Sequence, residues 1–112
     1  MRVINTSRHK FTKSEEEIVH HLHGNQVKIE QNPERWEHLG NFLDFMAKHQ
    51  ESNIFLYVVA PLKFLLYAMS YGYHFYFFTN NGTVEVYEVK NRRIGRLYQR
   101  KKTNKRTRYM RN

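Results

Sequence analysis

Residues 54–60 read Ile54-Phe55-Leu56-Tyr57-Val58-Val59-Ala60, with Pro61 and Leu62 directly after them. An apolar run of this length without polar alternation predicts a strand covered on both faces, as in a parallel sheet with helices above and below it. Pro61 ends the strand and opens a short helix to about Tyr71, which Gly72 closes. His74–Thr79 (HFYFFT) is then a second aromatic strand, and Asn80, Asn81 and Gly82 supply the positive-φ residues of a tight hairpin turn. Val84, Val86, Tyr87 and Val89 form the returning antiparallel strand.

Upstream, the same alternation of strand and helix repeats. Arg2–Asn5 (RVIN) reads as a buried strand followed by a loop from Thr6 to Thr12. Thr12 with Glu15, and Ser14 with Glu17, are overlapping capping boxes that start a helix, with Ile18, Val19 and Leu22 as its apolar stripe and Gly24 as its stop. Val27 and Ile29 alternate with Lys28 and Glu30 as a short strand. Asn32 and Pro33 read as the cap and first residue of a second helix to about Gln50, whose apolar face carries Trp36, Leu39, Phe42, Leu43 and Met46. The order predicts an α/β chain: a three-layer Rossmann-like sandwich with a mainly parallel sheet and right-handed crossovers, plus a C-terminal β-hairpin and a basic tail. Residues 1–89 form the α/β domain and residues 90–112 the polybasic segment.

Ile54–Phe78 is also long enough to span a bilayer and carries one formal charge, Lys63. Pro61, Gly72, His74 and the cost of a lysine at mid-membrane, ~2.5–3.5 kcal/mol, favour two buried strands around a helix instead, so no membrane partner is expected. The amino terminus has no apolar signal segment, and a cytoplasmic protein is expected. The chain has 112 residues and no cysteine, which excludes disulfide frameworks, thiolate metal sites and Cys nucleophiles.

The formal charge of +9 is unevenly spread. Lys90–Asn112 holds eleven basic residues and no acid, and Met1–Val89 holds eight basic against ten acidic residues. A block of this kind attracts polyanions by counterion release, so Arg92, Arg93, Arg96, Arg100, Lys101 and Lys102 are candidate RNA or DNA contacts. A solvated segment that keeps the chain soluble is the alternative.

In open α/β sheets the ligand lies outside the carboxyl ends of the strands, where strand order reverses. That rule selects three loops. Thr6, Ser7, Arg8, His9, Lys10 and Thr12 gather hydroxyls, a guanidinium, an imidazole and an ammonium before a helix N-terminus, which suits a phosphate. Ala60, Pro61 and Lys63 offer a second helix start beside the first, with Lys63 either reaching a phosphate or snorkelling out to water. Asn80 represents the third. The glycine fingerprints of dinucleotide and P-loop sites are absent, so the first loop is equally read as a capped loop with exposed cations. His20, His21 and His23 supply too few ligands on one helix face for zinc, and no metal or cofactor is expected. Nothing resembles a Ser-His-Asp triad or a two-metal carboxylate cluster.

The opening strand with its TSRHKFT loop (6–12), the SEEEIV helix (14–19), the NPERWEHL segment (32–39) and the VVAPLKFLLYA unit (58–68) resemble the small stand-alone CRISPR-associated proteins with a CARF-like, Rossmann-type fold. That group includes ring nucleases and sequestering proteins for cyclic oligoadenylate, and the resemblance covers roughly Met1–Val89. It implies a homodimer that binds a pseudo-symmetric cyclic RNA, cyclic tetra-adenylate first, across its two-fold axis. It also implies metal-free cleavage by the ribose 2′-OH, where cleavage occurs. Carried onto this chain, Arg8 and Lys63 stabilise phosphate charge, Thr6 and Ser7 position the ligand, and His9 transfers the proton.

Overall fold

The first apolar run is β1 (Arg2–Asn5), and the chain continues as α1 (Lys13–His23), β2 (Lys28–Gln31), α2 (Leu39–Lys48), β3 (Ile54–Tyr57), α3 (Leu62–Ser70), β4 (Phe75–Asn80), β5 (Thr83–Lys90) and β6 (Arg93–Lys101). The structure is a computed structural model that describes residues 1–101. One six-stranded sheet runs in the order β2-β1-β3-β4-β5-β6. β1 pairs in parallel with β2 and β3, and β3 with β4, whereas β4–β5 and β5–β6 are antiparallel. The sheet is therefore mixed.

Two apolar layers explain why β3 lacks polar alternation. Ile4, Ile54, Leu56, Val58 and Phe75 face Phe42 and Met46 of α2 and Ala68 of α3. Val3, Tyr57, Tyr76 and Val86 face Ile18 and Val19 of α1. The segment 54–78 is divided among β3, α3 and β4, and among the described residues no helix is long and apolar enough to cross a membrane.

α1 starts as its sequence dictates. Thr12 Oγ1 accepts from the Glu15 N–H (3.1 Å), the Glu15 carboxylate accepts from the Thr12 N–H (2.8 Å), and Gly24 closes the helix at φ +103°. The second box does not form, because the helix is already under way at Ser14 and Glu17 instead meets Arg100.

α2 corrects the expectation of a helix from Pro33. The Asn32 N–H donates to Asn5 O (2.9 Å) and the Glu34 N–H to Thr6 O (3.0 Å), so the chain after β2 keeps laddering beside the end of β1. The Trp36 indole N–H then donates to Val59 O (2.9 Å), and helical geometry begins only at Leu39. The two backbone bonds outcompete the local Asn-Pro signal.

In the first hairpin only Gly82 has positive φ (+77°), so Asn80 and Asn81 do not take the left-handed conformation expected of them. The second hairpin uses Asn91 (+53°) and Arg92 (+63°), the left-handed pair of a two-residue turn whose twist matches its strands. The residues from Arg93 to Lys101 are thus a sheet strand, with a bulge between Val86 and Tyr87 where Leu97 is the extra residue. The division drawn after Val89 falls inside β5, which ends at Lys90. Lys102 and the rest of the basic segment lie outside the described residues.

Candidate functional site

Strand order reverses at β1, which has β2 on one side and β3 on the other. The crevice outside the carboxyl ends of β1 and β3 is where doubly wound sheets hold ligands. Here the two strand ends are joined through Thr6. Its N–H and Oγ1 both donate to Tyr57 O (3.1 and 3.0 Å), and Oγ1 accepts from the Val59 N–H (3.3 Å). Thr6 is only 1% exposed, so its hydroxyl serves this junction.

Asn5, equally buried, shapes the loop that follows. Its Oδ1 accepts from the Ser7 N–H (3.0 Å), and its Nδ2 donates to His9 O and to Gln31 Oε1 (3.0 Å each). The Gln31 amide returns a donor to Ser7 O, and Ser7 Oγ accepts from the His9 N–H (3.1 Å). One buried amide and one strand-end glutamine therefore fix the path of residues 5–9.

The loop borders a cleft of about 240 Å³. Ser7, His9, Lys10 and Thr12 lie on its walls with the Glu15 carboxylate. Its apolar side is built from Phe11, which stands edge-on to Tyr57 (5.6 Å) and to Phe78 (5.5 Å), together with Val59 and Phe77. Glu15 changes the expected electrostatics: it caps the α1 N-terminus with the chain's own negative charge, so Lys10 attracts an incoming anion more than the helix end does.

The other expected site residues are elsewhere. Arg8 is exposed on the same loop but off the cleft wall; Pro61 and Asn80, exposed on other loops, and the half-buried Ala60 are off it too. Lys63 lies along α3 beside Leu66, Tyr67 and Ser70. On β6, Arg96 pairs with Glu85 (3.1 Å) and Arg100 with Glu17 (3.0 Å), which offsets two of the cations read as nucleic-acid contacts. Arg92 forms the hairpin tip, Arg93 opens the strand and Lys101 ends it.

Sequence reasoning missed Asn5, Gln31, Phe11 and Phe78. Asn5 does carry a signal: an amide at the end of a buried strand has to be satisfied, and the adjacent loop is what can satisfy it.

Beneath the cleft, on the α1 side of the sheet, lies a second polar group. His23 stacks on Phe55 (3.9 Å) and its Nε2 meets Tyr57 OH at 2.7 Å. Burial lowers the His23 imidazole from its usual 6.5 to about 4. Burial also raises the Tyr57 and Tyr76 phenols, helped for Tyr57 by Tyr76 and for Tyr76 by Glu88. Glu88 Oε2 accepts from Tyr76 OH (3.1 Å) and meets His74 Nε2 at 2.7 Å. His20 turns to Gly24 O and His21 to the Tyr98 ring, so the three α1 histidines do not converge. Among the described residues, no group of three His, Asp or Glu side chains is arranged to hold a metal ion. No protein-family model, no curated protein and no solved structure matches the chain.

Proposed function

We propose that the chain binds a cyclic oligoadenylate of type III CRISPR signalling, cyclic tetra-adenylate first, in the β1–β3 cleft, and either sequesters it or opens its ring. The observation that carries this reading is one cleft that pairs the aromatic side chains of Phe11 and Phe78, set over the buried Tyr57, with the hydroxyl, imidazole and ammonium of Ser7, His9 and Lys10. A purine offers a flat π-face to aromatic rings, and its linked phosphates attract cations.

Ring opening needs alignment and charge stabilisation. The ribose 2′-O attacks the adjacent phosphorus, the bond from phosphorus to O5′ breaks, and a 2′,3′-cyclic phosphate and a 5′-hydroxyl result. His9 takes the 2′-OH proton or supplies one to O5′, because one imidazole nitrogen accepts a proton and the other donates one. Lys10 balances the charge that grows on the phosphate, and Ser7 donates a hydroxyl hydrogen bond.

The test is calorimetry and chromatography of the full chain with cyclic tetra-adenylate and hexa-adenylate in EDTA. Ligand recovered intact identifies a sponge, and a linear product with a 2′,3′-cyclic end identifies a nuclease that His9→Ala inactivates while binding persists. Neither binding nor product removes the proposal.

RNA or DNA binding along β6 is the second reading, favoured by the exposed Arg92, Arg93, Arg96 and Arg100 at the edge of the sheet formed by the described residues. With residues 102–112 removed, the second reading expects weaker RNA binding, and the first expects cyclic-ligand binding unchanged.

A further inference from the structure

β6 ends at the same side of the sheet as the cleft. β4 is antiparallel to β5 and β5 to β6, so β6 runs in the direction of β4 and, through it, of β3 and β1. Its last residue, Lys101, pairs with Thr83 at the start of β5, beside the β4–β5 hairpin. β4, whose Phe77 and Phe78 line the cleft, lies two strands away in the sheet order. At the spacing of hydrogen-bonded strands that separation is ~10 Å. Residues 102–112 hold Lys102, Lys105, Arg106, Arg108 and Arg111 and no acid. Eleven residues reach up to ~40 Å when fully extended. The basic segment therefore starts at the rim of the cleft and has the length to meet whatever the cleft holds.

The cleft is short of what that segment carries. Lys10 is the one lysine or arginine of its lining, and Glu15 opposes it with a carboxylate. Its volume of about 240 Å³ falls below the ~300–1,000 Å³ of pockets that enclose drug-sized ligands. A base with its sugar fits such a space, and further units of a chain extend past it.

We infer that the cleft and residues 102–112 form one track for single-stranded RNA. One unpaired base lies against Phe11 and Phe78, and the phosphates that follow cross the β4–β5 hairpin to the cations beyond Lys101. The hairpin tip, Asn80 to Thr83, has no acid to repel them. Glu85, the first carboxylate beyond the tip, is already held by Thr79 (3.0 Å) and Arg96 (3.1 Å). A duplex keeps its bases paired and stacked, and offers the cleft no flat face. The inference rests on reading the cleft as a nucleotide site. It adds that a linear strand and a cyclic oligoadenylate contend for that site, so the two readings above share one rim.

The test is fluorescence anisotropy of the full chain with a labelled linear oligoadenylate of about twelve nucleotides, in EDTA and across a salt series. The strand should bind about tenfold or more tighter than the same strand annealed to its complement. Lys10→Glu should weaken strand binding on the order of tenfold and lower the salt slope by about one. Lys48→Glu makes the same charge reversal in the last turn of α2, which leads into the start of β3 at the far end of the sheet, and should change binding by less than about twofold. Lys105→Ser, Arg106→Ser and Arg108→Ser together should lower the slope by about two, at ~0.7 for each phosphate contact. Excess unlabelled cyclic tetra-adenylate should displace the strand. Absence of strand binding overturns the inference, as does a duplex that binds equally well. So does Lys10→Glu matching Lys48→Glu, or an unchanged slope in the triple variant. A cyclic ligand that binds without displacing the strand also overturns it, and leaves the proposed function standing. A cyclic ligand that does not bind, with the Lys10 and triple-variant effects both present, removes the proposed function and supports the track.

Discussion

Replacing Asn5 by alanine tests whether a single buried amide holds the cleft open. The side chain makes three hydrogen bonds, to the Ser7 N–H, His9 O and Gln31 Oε1, while 1% exposed. At ~0.5–1.5 kcal/mol net for each bond, Asn5→Ala loses about 3 kcal/mol if no water enters. Ser7 and His9 lie near the surface, and water that reaches their freed groups reduces the loss to about 2 kcal/mol. Asn5→Asp is the sharper probe. It keeps the acceptor to Ser7 but turns a carboxylate oxygen toward His9 O, and burial among carbonyl groups favours its protonated form. Its folded-state pKa is therefore raised, the folded chain holds the proton longer than the unfolded chain, and stability rises as pH falls through that interval. Urea denaturation at pH 7.5 and pH 5 reads both effects. The expected order at pH 7.5 is native, then Asn5→Ala, then Asn5→Asp, with Asn5→Asp recovering at pH 5. An Asn5→Ala loss below about 0.5 kcal/mol, or no recovery of Asn5→Asp in acid, refutes the assignment of Asn5 as the organiser of the loop.

His23 sets a second pH dependence. Its folded value of about 4 lies below the ordinary 6.5, so the unfolded chain takes up the proton first; stability is full above pH 6.5 and is lost as pH falls toward 4. That interval corresponds to ~3 kcal/mol, and partial solvent access brings the expected loss to roughly half; denaturation of the native chain and of His23→Phe across this range should show the slope only in the former. Phe42 is wholly buried between α2 and the sheet, and Phe42→Ala should lower the unfolding free energy by ~3–5 kcal/mol in a urea melt. Arg92 holds φ +63° at the β5–β6 turn, and Arg92→Gly should stabilise the chain by about 0.5–1 kcal/mol, because release of left-handed strain exceeds the added unfolded-state entropy. A lower melting temperature for that variant would count against the turn.

Signals confined to a few neighbouring residues were legible in the sequence. The Thr12–Glu15 box, the Gly24 stop and the unbroken apolar run of β3 each follow from local chemistry, and all appear in the structure. The misreadings arose where a distant partner outbid a local one. Asn32-Pro33 is a good helix start, but the β1 strand end supplies acceptors for the Asn32 and Glu34 N–H groups, and the helix waits until Leu39. β6 was hidden because charge dominated the reading of Arg93–Lys101; its pattern makes sense only once β5 provides Glu85 and α1 provides Glu17. The cleft was half legible: Ser7, His9, Lys10 and Thr12 are consecutive enough to be found, whereas Phe78 and Tyr57 join them only through the sheet.

The same cations that suggest a polyanion partner also answer a structural need of the sheet. Among the described residues β6 is a nine-residue edge strand, and an edge of that length invites pairing with another chain. Arginines and a bulge are devices that prevent it, and β6 has both, with Arg93, Arg96 and Arg100 along it and Leu97 at the bulge. Two of the three arginines are further tied to carboxylates on β5 and α1, where they hold the edge to the body of the fold. Positive charge on β6 thus has a sufficient cause without nucleic acid. The cleft differs in this respect: folding requires the Thr6 junction and the Asn5 amide, but it does not require His9 and Lys10 to stand exposed against the ring of Phe11. His9 and Lys10 at the β1–β3 switch point are side chains that the loop's own hydrogen bonds do not use, and that is where a ligand should be sought.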